Sequence, residues 1–196
     1  MKNAYLLFVC LALLSGCSPT ESDELTDTSG NRYQIRQYGN TLWMTENLRT
    51  TRDAQGDLVT YYFPNGAPSN AAEFGLLYDF ETACKVCPRG WKLPTNEDWD
   101  SLLRMANLAA SFKDSLFWNG ESNSNESGFT LRPSGYGNEG EHDNQFGERA
   151  ILWSCTWDGK EFVWTYIAES GRDSIRSASQ HPPYAFSVRC IKLLKE

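Results

Sequence analysis

Short stretches of alternating apolar and polar residues, separated by turn residues, run through most of the chain. Residues 31–37 alternate in this way and predict a strand, and Gly39-Asn40 then predicts a turn. Residues 41–48 can return as a second strand. Two further extended segments are predicted at residues 58–63 and 75–80.

One amphipathic helix is predicted at residues 96–108. Thr95 is its candidate N-cap, and Asp98 three residues later can complete a capping box and favours the positive end of the helix dipole. Apolar residues then recur at i, i+3, i+4 and i+7, which places them on one buried face: Trp99, Leu102, Leu103 and Ala106.

Residues 151–167 predict a hairpin that turns at Asp158-Gly159, a dipeptide that suits a two-residue turn with positive φ. The register that this turn implies pairs Cys155 with Phe162, Trp153 with Trp164 and Ile151 with Tyr166 on one buried face. Cys155 should therefore point into the core. A last strand is predicted within residues 185–191, and polar stretches at residues 119–128 and 135–147 predict loops.

The amino-terminal pattern is that of a secretory leader. Lys2 precedes an apolar run over residues 4–14, and residues 14–17 (LSGC) resemble a bacterial lipobox. The run is too short to span a bilayer as a helix. The resemblance implies that residues 1–16 are a lipoprotein signal peptide and that Cys17 is acylated, so the partner there is the membrane. An ordinary signal peptide is the alternative interpretation.

Residues 17–28 are acidic and poor in apolar side chains, which predicts a flexible tether after the lipidated cysteine. Ser18, rather than aspartate, follows Cys17 and by resemblance favours the outer membrane. Acidic tethers of this kind also resemble signals for export to the cell surface, although a plain linker is an equal alternative. Residues 29–196 are then long enough for one domain with a sizeable core.

The chain has a formal charge of −7, and loss of Lys2 with the leader makes it one unit more negative. Nucleic acid is excluded as a partner, since its recognition needs a basic patch. Seven Trp and nine Tyr make the chain rich in aromatic side chains, which can stack on sugar rings when they lie in loops. Four in or beside polar stretches are candidate ligand-binding residues: Trp118, Tyr136, Trp157 and Tyr184.

Four cysteines remain after Cys10 and Cys17 are assigned to the leader and the lipid: Cys84, Cys87, Cys155 and Cys190. They allow three pairings. The spacing of the first two is found in zinc and redox motifs, but no second close pair and no βαβ pattern accompany it. Two structural disulfides are therefore the favoured interpretation in an exported protein.

Candidate catalytic and metal-binding groups are few. The two histidines, His142 and His181, exclude a histidine-rich metal site, and each is expected on an exposed loop. Glu139, Glu141 and Asp143 cluster beside His142 and could bind calcium or act as acid and base, but their spacing matches no calcium loop. We expect no metal, no cofactor and no catalytic residue.

A set of motifs occurs in order along the chain and resembles one family. The motifs are WM-x-ENL (residues 43–48), a GxLYxF-like segment (75–80), CPxGWxLPT-xxxW (87–99), NxxGF (125–129), WS-x-T (153–156) and SVRC (187–190). In this order they resemble the Fibrobacter succinogenes major paralogous (FISUMP) domain over residues 25–192. The family occurs on secreted and lipid-anchored bacterial proteins and has no established activity.

Residues 91–99 and the terminal VRC also resemble landmarks of the C-type lectin-like fold. That resemblance implies an α+β fold: a single domain of short antiparallel strands, long loops and one or two helices. It also implies a disulfide between Cys87 and Cys190, with Cys84 and Cys155 as the remaining pair. The chain lacks the calcium-binding motif of sugar-binding lectins and an alignable active-site cysteine pair, so the fold carries over and the function does not.

Three functions follow from these observations. The leading hypothesis is a lipid-anchored cell-surface module that recognises glycan without catalysis. The second is a structural or protein–protein adhesion component of the cell envelope, and the third is a hydrolase that acts through paired carboxylates. An exposed aromatic cluster favours the first, an apolar patch the second, and a cleft with carboxyl groups of raised pKa the third.

Overall fold

A computed structural model describes residues 24–105, 108–118, 123–137 and 144–194. The strands are β1 (Glu24–Thr26), β2 (Arg32–Tyr38), β3 (Thr41–Met44), β4 (Leu77–Tyr78), β5 (Arg149–Trp157), β6 (Val163–Glu169), β7 (Arg176–Gln180), β8 (Phe186–Ser187) and β9 (Ile191–Leu193). The α-helices are α1 (Ala71–Phe74), α2 (Phe80–Ala83) and α3 (Asn96–Leu103), and 3₁₀ turns occupy Pro64–Gly66, Pro68–Asn70 and Ala109–Ser111. Strands and loops dominate, which confirms the predicted α+β class.

The strands form two sheets, in the orders β1-β2-β3-β9 and β4-β8-β5-β6-β7. Pairing is antiparallel except where β5 meets β8, whose single bridge joins Leu152 and Ser187 in parallel. The carboxyl-terminal strand β9 pairs with β3, so the two ends of the described chain meet in one sheet.

At β5 and β6 both faces of the five-stranded sheet are buried, each under its own apolar cluster. Along β5, Ile151 and Trp153 face the first cluster, whereas Ala150 and Leu152 face the second. The first also contains Tyr33, Met44, Leu48, Tyr78, Val188 and Cys190, and the second contains Trp43, Trp99, Leu102, Phe129 and Ile191. A strand buried on both faces has a continuous apolar run rather than an alternating one, as the start of β5 does.

Helix α3 confirms the predicted cap. Thr95 Oγ1 accepts a hydrogen bond from the Asp98 N–H at 3.2 Å, and the Asp98 carboxylate accepts one from the Thr95 N–H at 2.9 Å. Trp99 and Leu102 are buried as predicted. The helix ends at Leu103 rather than at residue 108.

The predicted register of the β5–β6 hairpin is wrong by one residue. Trp153 lies opposite Thr165, and Ile151 lies opposite Ile167. Tyr166 consequently faces the second apolar cluster instead of the first, where its ring stacks on Trp99 at 5.0 Å. A shift of one residue moves a side chain to the other face of the sheet.

The turn explains the difference in register. The loop is longer than two residues, because the Asp158 N–H donates to the Phe162 carbonyl at 2.9 Å. The Asp158 carboxylate also accepts from the N–H groups of Lys160 and Phe162, as an aspartate-capped turn does. A bulge between Trp153 and Trp157 adds a second offset that spacing alone did not reveal.

Two other sequence predictions are corrected. Residues 58–63 form no strand, only isolated bridges at Leu58 and Tyr62, and Leu58 is exposed.

The last part of the predicted tether is ordered, because β1 pairs with β2 and places Leu25 opposite Tyr33. Asp27, which follows β1, is buried and accepts a hydrogen bond from the Tyr33 hydroxyl at 2.5 Å. Acidic composition hid this strand, and residues 17–23 lie outside the described part.

Arg189 is a buried cation that joins three distant segments. Its guanidinium donates to Asn47 Oδ1 at 2.9 Å, to the Thr130 carbonyl at 2.8 Å and to the Phe129 carbonyl, and it lies 4.4 Å from the centre of the Phe129 ring. Burial lowers the pKa of Arg189 to about 9, which leaves it charged at neutral pH. Asn47 in turn donates to Ser187 Oγ at 3.2 Å, which extends the network to β8.

Replacing Arg189 with Met should lower the free energy of unfolding by on the order of 3 kcal/mol. The substitution keeps an unbranched stem but leaves three buried acceptors without a donor, at about 1–3 kcal/mol each, partly offset by removal of a buried charge. Chemical denaturation measures the loss. Arg32→Met removes an exposed arginine and should change stability by no more than about 0.5 kcal/mol; equal losses in both variants would contradict the assignment.

Candidate ligand-binding site

A disulfide joins Cys87 to Cys190, as the resemblance to the C-type lectin-like fold implied. Their Cα atoms are 5.7 Å apart, and the bridge connects the segment after α2 to the residue before β9. Both cysteines are buried in the first apolar cluster. The bridge closes a long loop and therefore belongs to the scaffold.

The second expected disulfide is absent from the described structure. Cys84 is an exposed free thiol and Cys155 a half-buried one. Burial raises the pKa of both thiols, so neither is an activated nucleophile at neutral pH. Cys155 packs against the edge of the first cluster, because the bulge in β5 turns it only partly inward.

Both thiols line a depression of about 600 Å³ together with Trp91. Its basic side chains include Lys85 and Lys92, which are paired with Glu81 and Asp98. These two ion pairs neutralise both lysines, so the net positive charge of the depression is lower than its lining residues suggest.

The residues that carry the family resemblance lie mostly in the core. Trp43, Trp99 and Phe129 form an edge-to-face aromatic group with centroid distances of 4.8–6.0 Å. Gly75 has φ +77, and a Cβ there would lie 2.6 Å from Asn47 Cβ, so only glycine fits. The motifs therefore describe how the domain folds rather than what it binds.

Two of the four predicted ligand-binding aromatics do not meet a common site. Trp118 is buried, donates from Nε1 to the Leu131 carbonyl at 2.9 Å and packs under the Lys113 ammonium at 4.4 Å, so it cannot stack on a ligand. Trp157 is 49% exposed, but its only ring neighbour in the described structure is Phe80, at 5.3 Å.

The other two, Tyr136 and Tyr184, meet at 5.9 Å between ring centroids. The backbone brings them together, since Gly137 and Ala185 exchange hydrogen bonds at 2.8 and 2.9 Å. Tyr184 lies in a turn closed by its N–H to the His181 carbonyl, and its ring stacks on Phe186. His181 packs edge-on against Phe162, at the edge of the same region.

These two tyrosines border a depression of about 220 Å³ on the face of the five-stranded sheet that bears the first apolar cluster. Its floor is apolar and buried, and consists of Ile151, Ile167 and Phe186. Polar side chains complete the lining: Gln145, Arg149, Arg176 and Gln180. An apolar floor with a few convergent polar groups is the usual composition of a ligand site.

Arg149 and Arg176 are positioned by Glu169. Arg149 Nε lies 2.7 Å from one carboxylate oxygen of Glu169, and an Arg176 guanidinium nitrogen lies 3.2 Å from the same oxygen. Arg172 approaches the other oxygen at 4.0 Å. The hydrogen bond from Arg176, with the charges of the other two arginines, lowers the pKa of Glu169.

Lys113 supports this cluster from inside the domain. Its ammonium is buried and donates to the Glu169 and Arg172 carbonyls at 2.7 and 3.3 Å. The same ammonium rests on the Trp118 ring. Trp118 thus packs against the lysine that holds the connection between β6 and β7, and does not itself line the depression.

The sequence did not reveal the arginines of this depression. Arg149 begins β5, two residues before the predicted hairpin, and β7 is a polar segment (RSASQ) that shows no apolar alternation. Arg172 and Arg176 closely follow Glu169 in the sequence, across the turn between β6 and β7. This proximity of two arginines to one carboxylate is the signal that could have identified them. His142, Glu139, Glu141, Asp143 and Cys17 lie outside the described residues.

Within the described ranges, no helix is long and apolar enough to cross a bilayer. No cluster of three or more His, Cys, Asp or Glu side chains with metal-binding geometry occurs in the same ranges.

Comparison with known proteins identifies a family and nothing closer. Neither the curated proteins nor the solved structures include a match to this chain. A sequence profile described as the Fibrobacter succinogenes major domain matches residues 37–192, which is more than half of the chain and contains the six motifs, the disulfide and both tyrosines of the depression. The chain therefore belongs to the Fibrobacter succinogenes major domain family.

Proposed function

We propose that this protein is a lipid-anchored cell-surface module that binds glycan without catalysis, in the depression bordered by Tyr136 and Tyr184. The observation that carries the proposal is the meeting of these two rings above an apolar floor formed by Ile151, Ile167 and Phe186. The face of a tyrosine ring suits the C–H face of a sugar, while the arginine and glutamine side chains suit its hydroxyls.

The pKa of Glu169, the carboxyl group paired with the arginines of the depression, is shifted in the direction opposite to that of a general acid. A general acid needs a raised pKa, whereas cations lower the pKa of Glu169, which lines the adjoining depression, and of Glu81 on α2. Glu169 is held by arginines on its exposed side, which removes it from the role of proton donor.

Protein–protein adhesion is the alternative function, and no specific contact favours it. The exposed large apolar side chains come from segments scattered along the sequence: Leu58, Met105, Leu108, Leu116, Trp157 and Leu193. Single exposed apolar side chains are ordinary on protein surfaces.

The finer fold assignment, C-type lectin-like, is also part of this proposal. Its support is the motif order together with a disulfide from the first half of the chain to the residue before the last strand. The pairing of β3 with β9, which joins the two ends of the domain, agrees with it.

The anchor in the proposal rests on the leader and on Cys17. Acyl chains contribute about 0.8 kcal/mol per buried methylene, so more than one chain gives stable anchoring where one gives only reversible binding. We propose the outer membrane, with the domain facing outward, because Ser18 and the acidic residues that follow match that sorting pattern.

Replacing Cys17 with Ala should move the protein from the membrane fraction to the soluble fraction and abolish labelling with radioactive or clickable fatty acid. The matched control is Cys10→Ala, which changes a leader cysteine outside the lipobox and should leave both properties unchanged. Retention of Cys17→Ala in the membrane fraction would contradict the anchor.

Replacing Tyr184 with Leu should weaken glycan binding at least tenfold, or about 1.4 kcal/mol, because the apolar packing on Phe186 is kept while the stacking face is lost. A glycan array with plant, host and microbial sugars identifies the ligand, and titration calorimetry measures the affinity. Trp157→Leu is the matched control, since it removes an exposed aromatic outside the depression.

Unchanged melting temperatures would show that both variants are folded. Equal loss of binding in the two variants would contradict this location of the site. No binding to any glycan on the array would contradict the proposed function and leave protein adhesion as the better account.

A further inference from the structure

We propose that the sugar bound in this depression carries a carboxylate, as a uronic acid residue does, and that Arg149 and Arg176 recognise it. This inference rests on the glycan-binding function proposed above and narrows its ligand class. The geometry that points to it is the presence of two guanidinium groups and two tyrosine rings in the lining of one depression.

The arginines around Glu169 carry more positive charge than the Glu169 carboxylate neutralises. Three arginines surround the Glu169 carboxylate, which leaves an excess of two positive charges over that group, or of one when Glu148 in the adjoining depression is counted. The Glu169 side chain is 14% exposed, whereas the side chain of Arg176 is 47% exposed and remains open to a second anion. The chain as a whole has a net charge of −7, so this local concentration of arginines is opposite in sign to the net charge of the protein.

The described residues that line the depression include two arginines and no acid. The adjoining depression of about 430 Å³ shares Arg149 and includes Arg172, but it is also lined by Glu148 and Glu169. The carboxylate of a ligand is therefore assigned to the depression bordered by the tyrosines and not to the adjoining one. Guanidinium groups bind carboxylates through parallel hydrogen bonds, which makes arginine the suited residue for this contact.

The underlying structure keeps the cations in place. Buried Lys113 fixes the carbonyls of Glu169 and Arg172, so the connection between β6 and β7 is held from below. Arg176 lies opposite Ile167 on β7, directly beside the apolar floor. A ligand carboxylate would then meet guanidinium groups that Glu169 has already ordered, at a small further cost in side-chain entropy.

The size of the depression suits one sugar ring of a ligand. Its volume of about 220 Å³ lies below the ~300–1,000 Å³ of pockets that enclose drug-sized ligands. Gln180 at the edge of β7 can exchange hydrogen bonds with ring hydroxyls. The site therefore fits a single uronate residue of a longer chain rather than several residues together.

Titration calorimetry with oligomers of galacturonate, glucuronate and mannuronate tests the inference. Their methyl esters are the matched probes, because they keep each ring and remove its charge. The purified full chain should bind at least one acid oligomer about tenfold or more tightly than its ester. Arg176→Gln should reduce this acid-to-ester ratio towards one, whereas Arg32→Gln removes the same charge from β2 and should leave the ratio unchanged.

The outcomes separate the two proposals. Equal affinity for acid and ester, lost together in Tyr184→Leu, would overturn the inference while the glycan-binding function stands. Sulfated neutral oligosaccharides that bind as tightly as the uronates would overturn recognition of a carboxylate. Binding of other array glycans with no binding of any uronate would also overturn the inference, and no binding of any glycan would overturn the proposed function itself.

Discussion

The buried guanidinium of Arg189 is the interaction on which the rest of the domain depends. It donates hydrogen bonds to the Asn47 side chain and to the Phe129 and Thr130 carbonyls. These bonds hold together segments that are far apart in sequence. A buried cation without a carboxylate partner is costly unless its hydrogen bonds are complete, and here carbonyl oxygens and an aromatic face supply them. The neighbouring residue, Cys190, adds a covalent link to Cys87 in the segment after α2.

The same carboxyl-terminal segment also builds the candidate site. Tyr184 begins it, Ala185 bridges to Gly137 beside Tyr136, and Phe186 supplies part of the apolar floor before the chain reaches Arg189. Fixing this segment at Arg189 therefore fixes the tyrosine that borders the depression. The family motifs describe the scaffold, and the residues that meet solvent at the depression lie between them.

The sequence predicted those parts whose signal is local. The capping box of α3 needs only Thr95 and Asp98, and both make the expected hydrogen bonds. The β5–β6 register failed because it depends on the Asp158 loop and on a bulge, neither of which changes the apolar pattern. For the proposed site, polar context selected Tyr136 and Tyr184, which border the depression, but it also selected Trp118, which lies buried beneath Lys113. The arginines were missed because ion pairs between strands carry no periodic signal.

The most direct test of this account is an amide NMR titration of the protein with oligomers of galacturonate, glucuronate and mannuronate. Shift changes should be largest at the depression: Tyr136, Arg149, Arg176 and Tyr184. The scaffold around Asn47, Thr130 and Arg189 should keep its shifts, since these groups bind one another. Changes centred on Arg189, or on the separate depression lined by Cys84 and Trp91, would contradict the separation of scaffold and site.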